Sequence, residues 1–312
     1  MFVELHAQSD IGRVRQGNED NFLVLDLASG ESWSGSQGAP APPDGIRRFE
    51  VGGEGLVLIV SDGMGGALAG DVASRMAVES VREMLTEEDS EHKTDDQGAA
   101  VSLVDCLRNA TGYANYAIHR KSLEDPRCSG MGATLTAAAV AGQTMDFVQV
   151  GDSRAYVIRG DEIKLATKDQ SLVQQLVDVG QITEEDAETH MFRNVILQAL
   201  GAQSDLTPVI SRVRLQRGDI MLLCSDGLSG KMRAEEMLQI VGAAGDDLAA
   251  ACDALIKEAN KRGGEDNITV VLARFEGEDL EAPARAPITV ELAALEDDQT
   301  LPGMEDDTSP IP

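Results

Sequence analysis

The sequence predicts an α+β fold, and three observations carry that reading. Short apolar runs rich in β-branched residues recur along the chain (Leu56–Val60, Phe147–Val150, Ile220–Cys224, Ile268–Val271) and touch Gly, Ser, Asp or Asn at one end, as strands do. Three other segments repeat their apolar residues every three or four positions, the spacing of a helix with one buried face. The hydrophobic content of 42% over 312 residues is enough for a large core.

From Met1 to about Ala28 the pattern is strand-like, with the polar loop SDIGRVRQGNEDN between apolar ends. Residues 29–55 are rich in Gly, Ser and Pro and read as a mobile surface loop without its own core, with Trp33 as its anchor. Leu56–Val60 is a buried strand that runs into Ser61-Asp62-Gly63. Val72, Met76, Val78, Val81 and Leu85 mark a first helix; after the polar gap 87–98, Leu103, Leu107, Ala110, Ala114, Ala117 and Ile118 mark a second. Residues 134–142 and 145–163 read as antiparallel strands, with Arg159-Gly160-Asp161 as a turn. The polar stretch 168–193 is helical in character, with a break near Gly180. Residues 218–227 hold another strand that ends in Asp-Gly, Leu248, Cys252, Leu255, Ile256 and Ala259 mark a third helix, and residues 266–275 close as a strand. Residues 277–312 carry ten acids, one base (Arg285) and five of the ten prolines, the composition of a disordered tail. It reads first as a plain solubilising segment; the alternative is that Thr300 and Thr308, which stand among acids, are phosphorylation sites.

The net charge is −28, from 26 Lys and Arg against 54 Asp and Glu. Such a surface repels nucleic acid, whose binding rests on Lys and Arg displacing counterions, and it repels anionic membranes. Four cysteines without a CxxC pair suit a reducing compartment. The N-terminus lacks a basic-then-apolar leader, and no run reaches the roughly 20 apolar residues that span a bilayer. The expected location is the cytoplasm, with no nucleic acid or membrane partner.

Acids recur at strand ends: Asp62 after Leu56–Val60, Asp152 after Phe147–Val150, Asp226 after Ile220–Cys224, and Asp266 before Ile268–Val271. The pair Glu19-Asp20 lies in the first polar loop. Taken singly, each is an ordinary turn residue. Placed at the ends of adjacent strands, they would crowd negative charge at one edge of the sheets, which a divalent cation would relieve. No HxxxH or cysteine pair offers a zinc site, and His6, His92, His119 and His190 are scattered. Carboxylates favour hard ions, Mg²⁺ or Mn²⁺, and the carbonyl of Gly63, with no Cβ beside it, can approach a metal closely. Two ions about 3.5–4 Å apart that share Asp62 would activate a bridging water for in-line attack on phosphorus. Arg15, in the loop that carries Glu19 and Asp20, is placed to grip the phosphoryl oxygens, with Arg13 as its neighbour.

The ordered set RVRQGNEDN, SDGMGG, GATLTAA, GDSRAYVIRG, RNVILQALG, CSDGL and DNITVV, from about Val3 to Phe275, resembles the bacterial metal-dependent protein phosphatases of type 2C, the PPM family. Each motif alone is modest; their order is specific. The resemblance implies a four-layer α-β-β-α sandwich of two antiparallel sheets flanked by helix pairs, in one catalytic domain over residues 1–276. It implies hydrolysis of phosphoserine and phosphothreonine in proteins, with two core Mn²⁺ or Mg²⁺ ions. On this resemblance Arg15 binds the phosphoryl group and Asp62 bridges the two ions. Glu19 and the Gly63 carbonyl serve one ion, and Asp226 and Asp266 the other. Asp20 orients water, Asp152 serves a third, weaker ion, and Asn267 supports Asp266. Residues 168–193 correspond to the flap beside the active site. The implied partners are phosphoproteins, a serine/threonine kinase among them.

The sequence departs from its wider family at Met64, where animal relatives carry a histidine that protonates the leaving group. It departs again at Asp169-Gln170-Ser171 and His190-Met191-Phe192, in the flap, where bacterial relatives often have Asp-His-Ser and His-Pro. No predicted metal ligand is lost. A phosphatase-like regulatory domain that binds phosphoproteins with little turnover is the alternative. A two-metal nuclease or small-phosphate esterase is a third, against which the net charge counts.

Overall fold

The computed structural model describes residues 1–35, 47–66, 69–87, 101–283 and 287–292. In chain order the elements are β1 (Phe2–Asp10), β2 (Asp20–Asp26), β3 (Ser32–Ser34), β4 (Arg48–Glu50), β5 (Leu56–Met64), α1 (Ala69–Thr86) and α2 (Leu103–Glu124). Then come β6 (Gly132–Ala133), β7 (Leu135–Ala141), β8 (Thr144–Val150), β9 (Arg154–Arg159), β10 (Glu162–Leu165), α3 (Leu172–Asp178) and α4 (Glu184–Thr189). The last are β11 (Val209–Arg214), β12 (Ile220–Cys224), α5 (Asp226–Ser229), α6 (Ala234–Ala244), α7 (Leu248–Lys261), β13 (Ile268–Glu276) and β14 (Glu291–Leu292).

Two sheets form, each with antiparallel neighbours. Among the described residues one runs β10-β9-β12-β13-β1-β4 and the other β14-β11-β8-β7-β5-β2-β3, with β6 paired to the end of β5. Three apolar layers follow from the period of two along each strand. Leu56, Leu58 and Val60 of β5 point between the sheets, where they meet Phe22, Phe147, Val157, Met221, Val271 and Phe275. Val57 and Ile59 point the other way, onto Ala73, Ala77 and Val81 of α1 and Leu107 and Ile118 of α2. On the far side Tyr156, Leu222, Val270 and Leu272 meet Met237 and Val241 of α6 and Leu255 and Ile256 of α7. Both faces of each central strand are buried, so the strands read as continuous apolar runs rather than alternating ones. The result is the expected α-β-β-α sandwich.

The sequence reading misses some elements for identifiable reasons. Helix α6 buries only Met237 and Val241, and β11 alternates buried Ser211 and Val213 with exposed Arg212 and Arg214, so neither gives a strong signal. In α1 the face pressed to the sheet is built from Ala69, Ala73, Ala77, Val78 and Val81, while Val72 and Met76 are only partly covered. All five residues that mark α7 are buried.

Two expectations need correction. The described parts of residues 29–55 are not a coreless loop. They place β3 at an edge of one sheet and β4 at an edge of the other, and Trp33 is buried, edge-on to Phe22 with centroids 5.2 Å apart. Residues 36–46 of that segment lie outside the described residues. The tail after Gly277 does not begin disordered. Leu280 and Ile288 are 3% and 4% exposed in the layer between the sheets, and β14 pairs with β11. Acidic composition hides this docking because two apolar anchors suffice for it. Residues 284–286 and 293–312, with Thr300 and Thr308, lie outside the described residues. Among the described residues no helix is long and apolar enough to cross a membrane.

Truncating either anchor opens a cavity in the central layer. Leu280→Ala and Ile288→Ala are each expected to lower unfolding free energy by about 2–4 kcal/mol, read by urea denaturation. A change within about 0.5 kcal/mol would place this segment outside the folded core.

Candidate metal centre and active site

The strand ends gather the predicted acids at one edge of the sandwich. Asp20 opens β2 and lies in register opposite Asp62 near the end of β5. From the other sheet, β12 delivers Asp226 as the first residue of α5, and Asp266 stands just before β13. Asp152 sits in the link from β8 to β9, which crosses from one sheet to the other.

The crowding shows in the ionisation of these groups. Burial raises the Asp62 carboxyl well above its ordinary range, and Asp20, Asp226, Asp266 and Asp152 add repulsion. Burial likewise lifts Asp20 to about 7, although hydrogen bonds from Ser225 and Thr269 oppose the shift. Asp226 rises to about 6 through burial and then repulsion from Asp266, opposed by a hydrogen bond with Asp62. Asp152 rises to about 8 through burial, then Asp226 and Asp169. Burial also raises Glu19, against the pull of Arg15.

Each acid is held by neighbours. The hydroxyls of Ser225 and Thr269 both donate to Asp20 Oδ2 at 2.7 Å. The Asp62 N–H donates to Thr134 Oγ1 at 2.9 Å, and Thr134 exchanges a hydroxyl hydrogen bond with Ser153 at 2.7 Å. Asn267 ties the first polar loop down. Its Oδ1 accepts from the Glu19 N–H at 2.8 Å, and its Nδ2 donates to the carbonyls of Ile11 and Gly17 at 2.9 and 3.0 Å. Arg15 Nη2 donates to Asp266 Oδ2 at 2.8 Å in a partly exposed pair. That pair and the charges of Glu19 and Asp62 hold the guanidinium in its protonated form against partial desolvation.

The glycines allow close approach. A Cβ on Gly63 would stand 2.1 Å from the Gly70 carbonyl, and one on Gly70 would stand 1.9 Å from Glu19 Oε2. A Cβ on Gly227 would meet the Asn267 carbonyl at 1.9 Å. Glycine is needed at these three positions for space. The flap joins the site through Gln170. Its N–H donates to the Gly151 carbonyl at 2.8 Å, and its Oε1 accepts from the Gly151 N–H at 3.0 Å. Asp169 is paired with Arg154 at 2.7 Å. Beyond Ser171, α3 and α4 form, and Gly180, with φ of 70°, makes the predicted break.

Every predicted site residue therefore lies at or beside one cluster. Sequence reasoning missed the hydroxyl groups that fix it: Ser225, Thr269, Thr134 and Ser153. A signal existed for one of them, since Ser225-Asp226-Gly227 repeats Ser61-Asp62-Gly63, and both serines are fully buried.

As placed, no three of the described His, Cys, Asp and Glu side chains close on one point as a ready cation cage. Hydroxyls hold one oxygen of Asp20, and Arg15 holds one of Asp266. The donor set nonetheless fits a hard divalent cation. Asp20 Oδ1 and Asp226 Oδ1 are buried without a hydrogen-bond partner, and an unpartnered buried carboxylate oxygen is costly. Oxygen donors alone suit Mg²⁺ or Mn²⁺.

Comparisons with known proteins show what the chain is similar to in sequence and in fold. The family profile of protein phosphatase 2C matches residues 43–273. The serine/threonine phosphatase stp of Listeria innocua is 35% identical over 270 residues, covering 86% of this chain and 95% of that protein. The crystal structure of serine/threonine phosphatase Stp1 from Staphylococcus aureus superposes with a TM-score of 0.72 at 30% identity, covering 88% of this chain and 96% of that one. The catalytic domain of PstP, solved in complex with 2 manganese ions, gives a TM-score of 0.67 at 32% identity, covering 88% and 99% of the two chains.

The raised carboxyl groups set a direction for stability. Their folded pKa values exceed the unfolded value near 4, so protonation favours the folded state. The stability they contribute is complete below about pH 4 and is lost as pH rises through about 6 to 8. In chelator, the melting temperature is expected to fall from pH 6 to pH 8, less steeply in Asp62→Asn. Saturating Mn²⁺ or Mg²⁺ should raise it more at pH 8 than at pH 6. A metal-induced rise of equal size at both pH values would speak against these acids as the cation ligands.

Proposed function

Because the chain belongs to the protein phosphatase 2C family, we propose that it hydrolyses phosphoserine and phosphothreonine in proteins at this acid cluster, with two core Mn²⁺ or Mg²⁺ ions. The observation that carries the reading is the convergence of Asp20, Asp62, Asp226 and Asp266 from two sheets on one edge, with a guanidinium beside them. When bound, the ions would supply a water acidic enough to attack phosphorus near neutral pH.

The chain's own residues would do the rest. Asp62, central in the cluster, would be shared between the ions. Asp226 and Asp266 would serve one, and Glu19 with the Gly63 carbonyl the other. Asp20, with Oδ2 engaged by two hydroxyls, would present Oδ1 to orient the attacking water. Arg15 would grip two phosphoryl oxygens and neutralise charge that builds in the transition state. Asn267 would keep Glu19 and Arg15 in position by holding both ends of their loop. Asp152 would serve a third, weaker ion. Met64 cannot donate a proton, so the proton on the departing serine or threonine oxygen would come from water. Residues 1–276 would form the catalytic domain, with 168–193 as the flap over substrate entry. We infer that the substrates are cytoplasmic phosphoproteins, a serine/threonine kinase among them.

The test is phosphate release from a phosphothreonine peptide with Mn²⁺, with Mg²⁺ and with chelator. Turnover should require metal and fall by at least about 100-fold in Asp62→Asn. Arg15→Ala should lower kcat/KM by about 10- to 100-fold through loss of a charge-assisted contact. Peptide binding without turnover in any metal, by a folded protein, would replace this reading with that of a phosphoprotein-binding domain.

A further inference from the structure

Beside the acid cluster lies an open cleft of about 500 Å³, lined by Asp10, Gly12, Arg13, Lys257, Asn260 and Lys261. It is basic on a chain of net charge −28. Its three cations outnumber the single acid, Asp10, which forms no ion pair with them among the described residues and whose Oδ1 accepts from the Gly12 N–H at 2.9 Å and from Asn260 Nδ2 at 3.0 Å. Lys257 and Lys261 pair with Asp253 and Glu258 one turn away on the same helix, in exposed contacts that exchange readily. The Arg13 guanidinium is exposed and makes no ion pair or hydrogen bond with any described residue.

The cleft is built onto the catalytic loop. The Arg13 N–H donates to the Gly264 carbonyl at 2.7 Å, and a Cβ on Gly12 would stand 2.2 Å from the Asp266 carbonyl. The same short loop then carries Arg15 to Asp266. Arg13 and Arg15 are two steps apart in the chain, so their Cα atoms are at most about 7 Å apart. A peptide whose phosphoryl group sits at Arg15 therefore reaches the cleft within about two to five residues, since an extended chain advances roughly 3.3 Å per residue.

We propose that Arg13, Lys257 and Lys261 form a subsite for an anionic side chain of the substrate, close in sequence to the phosphoresidue, so that the protein prefers acidic phosphosites. This rests on the phosphatase reading above. The anion is a carboxylate or a second phosphoryl group on the same segment. Three cations are too few to hold a nucleic acid against the surrounding negative field.

The test compares phosphothreonine peptides that are identical except for flanking Ala, Glu or a second phosphothreonine, with p-nitrophenyl phosphate as a substrate too small to reach the cleft. Wild type should show a kcat/KM about fivefold higher on an anionic-flank peptide than on the Ala peptide, through KM and with loss at high salt. In Lys257→Ala/Lys261→Ala and in Arg13→Ala that advantage should shrink toward one, while rates on p-nitrophenyl phosphate and the Ala peptide hold. An advantage from Glu assigns the subsite to carboxylates, and one from phosphothreonine alone assigns it to phosphoryl groups. Equal rates on all peptides, or a preference that survives both variants, would overturn the proposal. If wild type turns over no substrate with Mn²⁺ or Mg²⁺, the phosphatase reading fails on its own. Fluorescence anisotropy of the same labelled peptides then decides the subsite: tighter binding of the anionic peptides that is lost in the variants supports it, and equal binding overturns it.

Discussion

Mutual repulsion among buried carboxylates is the constraint on which this structure turns. Asp20, Asp62, Asp152 and Asp226 are brought into one partly closed space, where burial penalises their charge and repulsion from acidic neighbours adds to the shift. A fold could avoid this by ending its strands in Gly or Asn. This one instead surrounds the acids with fixed dipoles. Ser225 and Thr269 donate to Asp20, and Thr134 anchors the backbone of Asp62. The apolar layers on both sides of each sheet hold the strand ends in register while the site itself works against folding. The site is destabilising by itself, and a bound divalent cation converts that cost into affinity.

The junction between the sheets explains why the acids come from distant parts of the sequence. Each sheet alone carries only some of them: Asp20 and Asp62 in one, Asp226 and Asp266 at the end of the other. Asn267 bridges them, since it precedes β13 in one sheet and holds the loop that enters β2 in the other. The inter-sheet core thus does more than stabilise. It sets the spacing between two half-sites, so a slip of one sheet on the other would change that spacing.

Much of this was legible in the sequence. The long apolar runs gave the central strands, and the spacing in α7 gave a helix with all five marked residues buried. The recurrence of Asp at strand ends gave the cluster. What stayed hidden has physical causes. β3, β4 and the segment around Leu280 and Ile288 add to existing edges with one or two apolar residues each, too few to outweigh Gly, Pro and acid in their surroundings. The hydroxyls around Asp20 stayed hidden because Ser and Thr in strands are common, and nothing local marks the one that faces a carboxylate. The face of α1 was misread toward Val72 and Met76 because alanine carries little hydrophobic signal, although only a small side chain lets the helix lie close to β5.

The flap shows how a departure from the family pattern can be accommodated. Gln170 stands where relatives often carry histidine, and its backbone and side chain bracket Gly151 from both sides, next to Asp152. Asp169 is locked to Arg154. The root of the flap is therefore fixed beside the acid cluster, and the returning chain is pinned there too: the Leu172 N–H donates to the Val195 carbonyl and the Leu197 N–H to the Gln170 carbonyl, each at 2.8 Å. Between these ends Met191 and Phe192 are 81% and 46% exposed, and the surface pair Glu188–Arg233 reaches the start of α6. A segment held at both ends and exposed between them has its freedom in the middle rather than at its roots. The fixed roots keep any such motion from disturbing Asp152. An uncharged amide at position 170 also keeps this coupling insensitive to pH across the range in which a histidine would titrate.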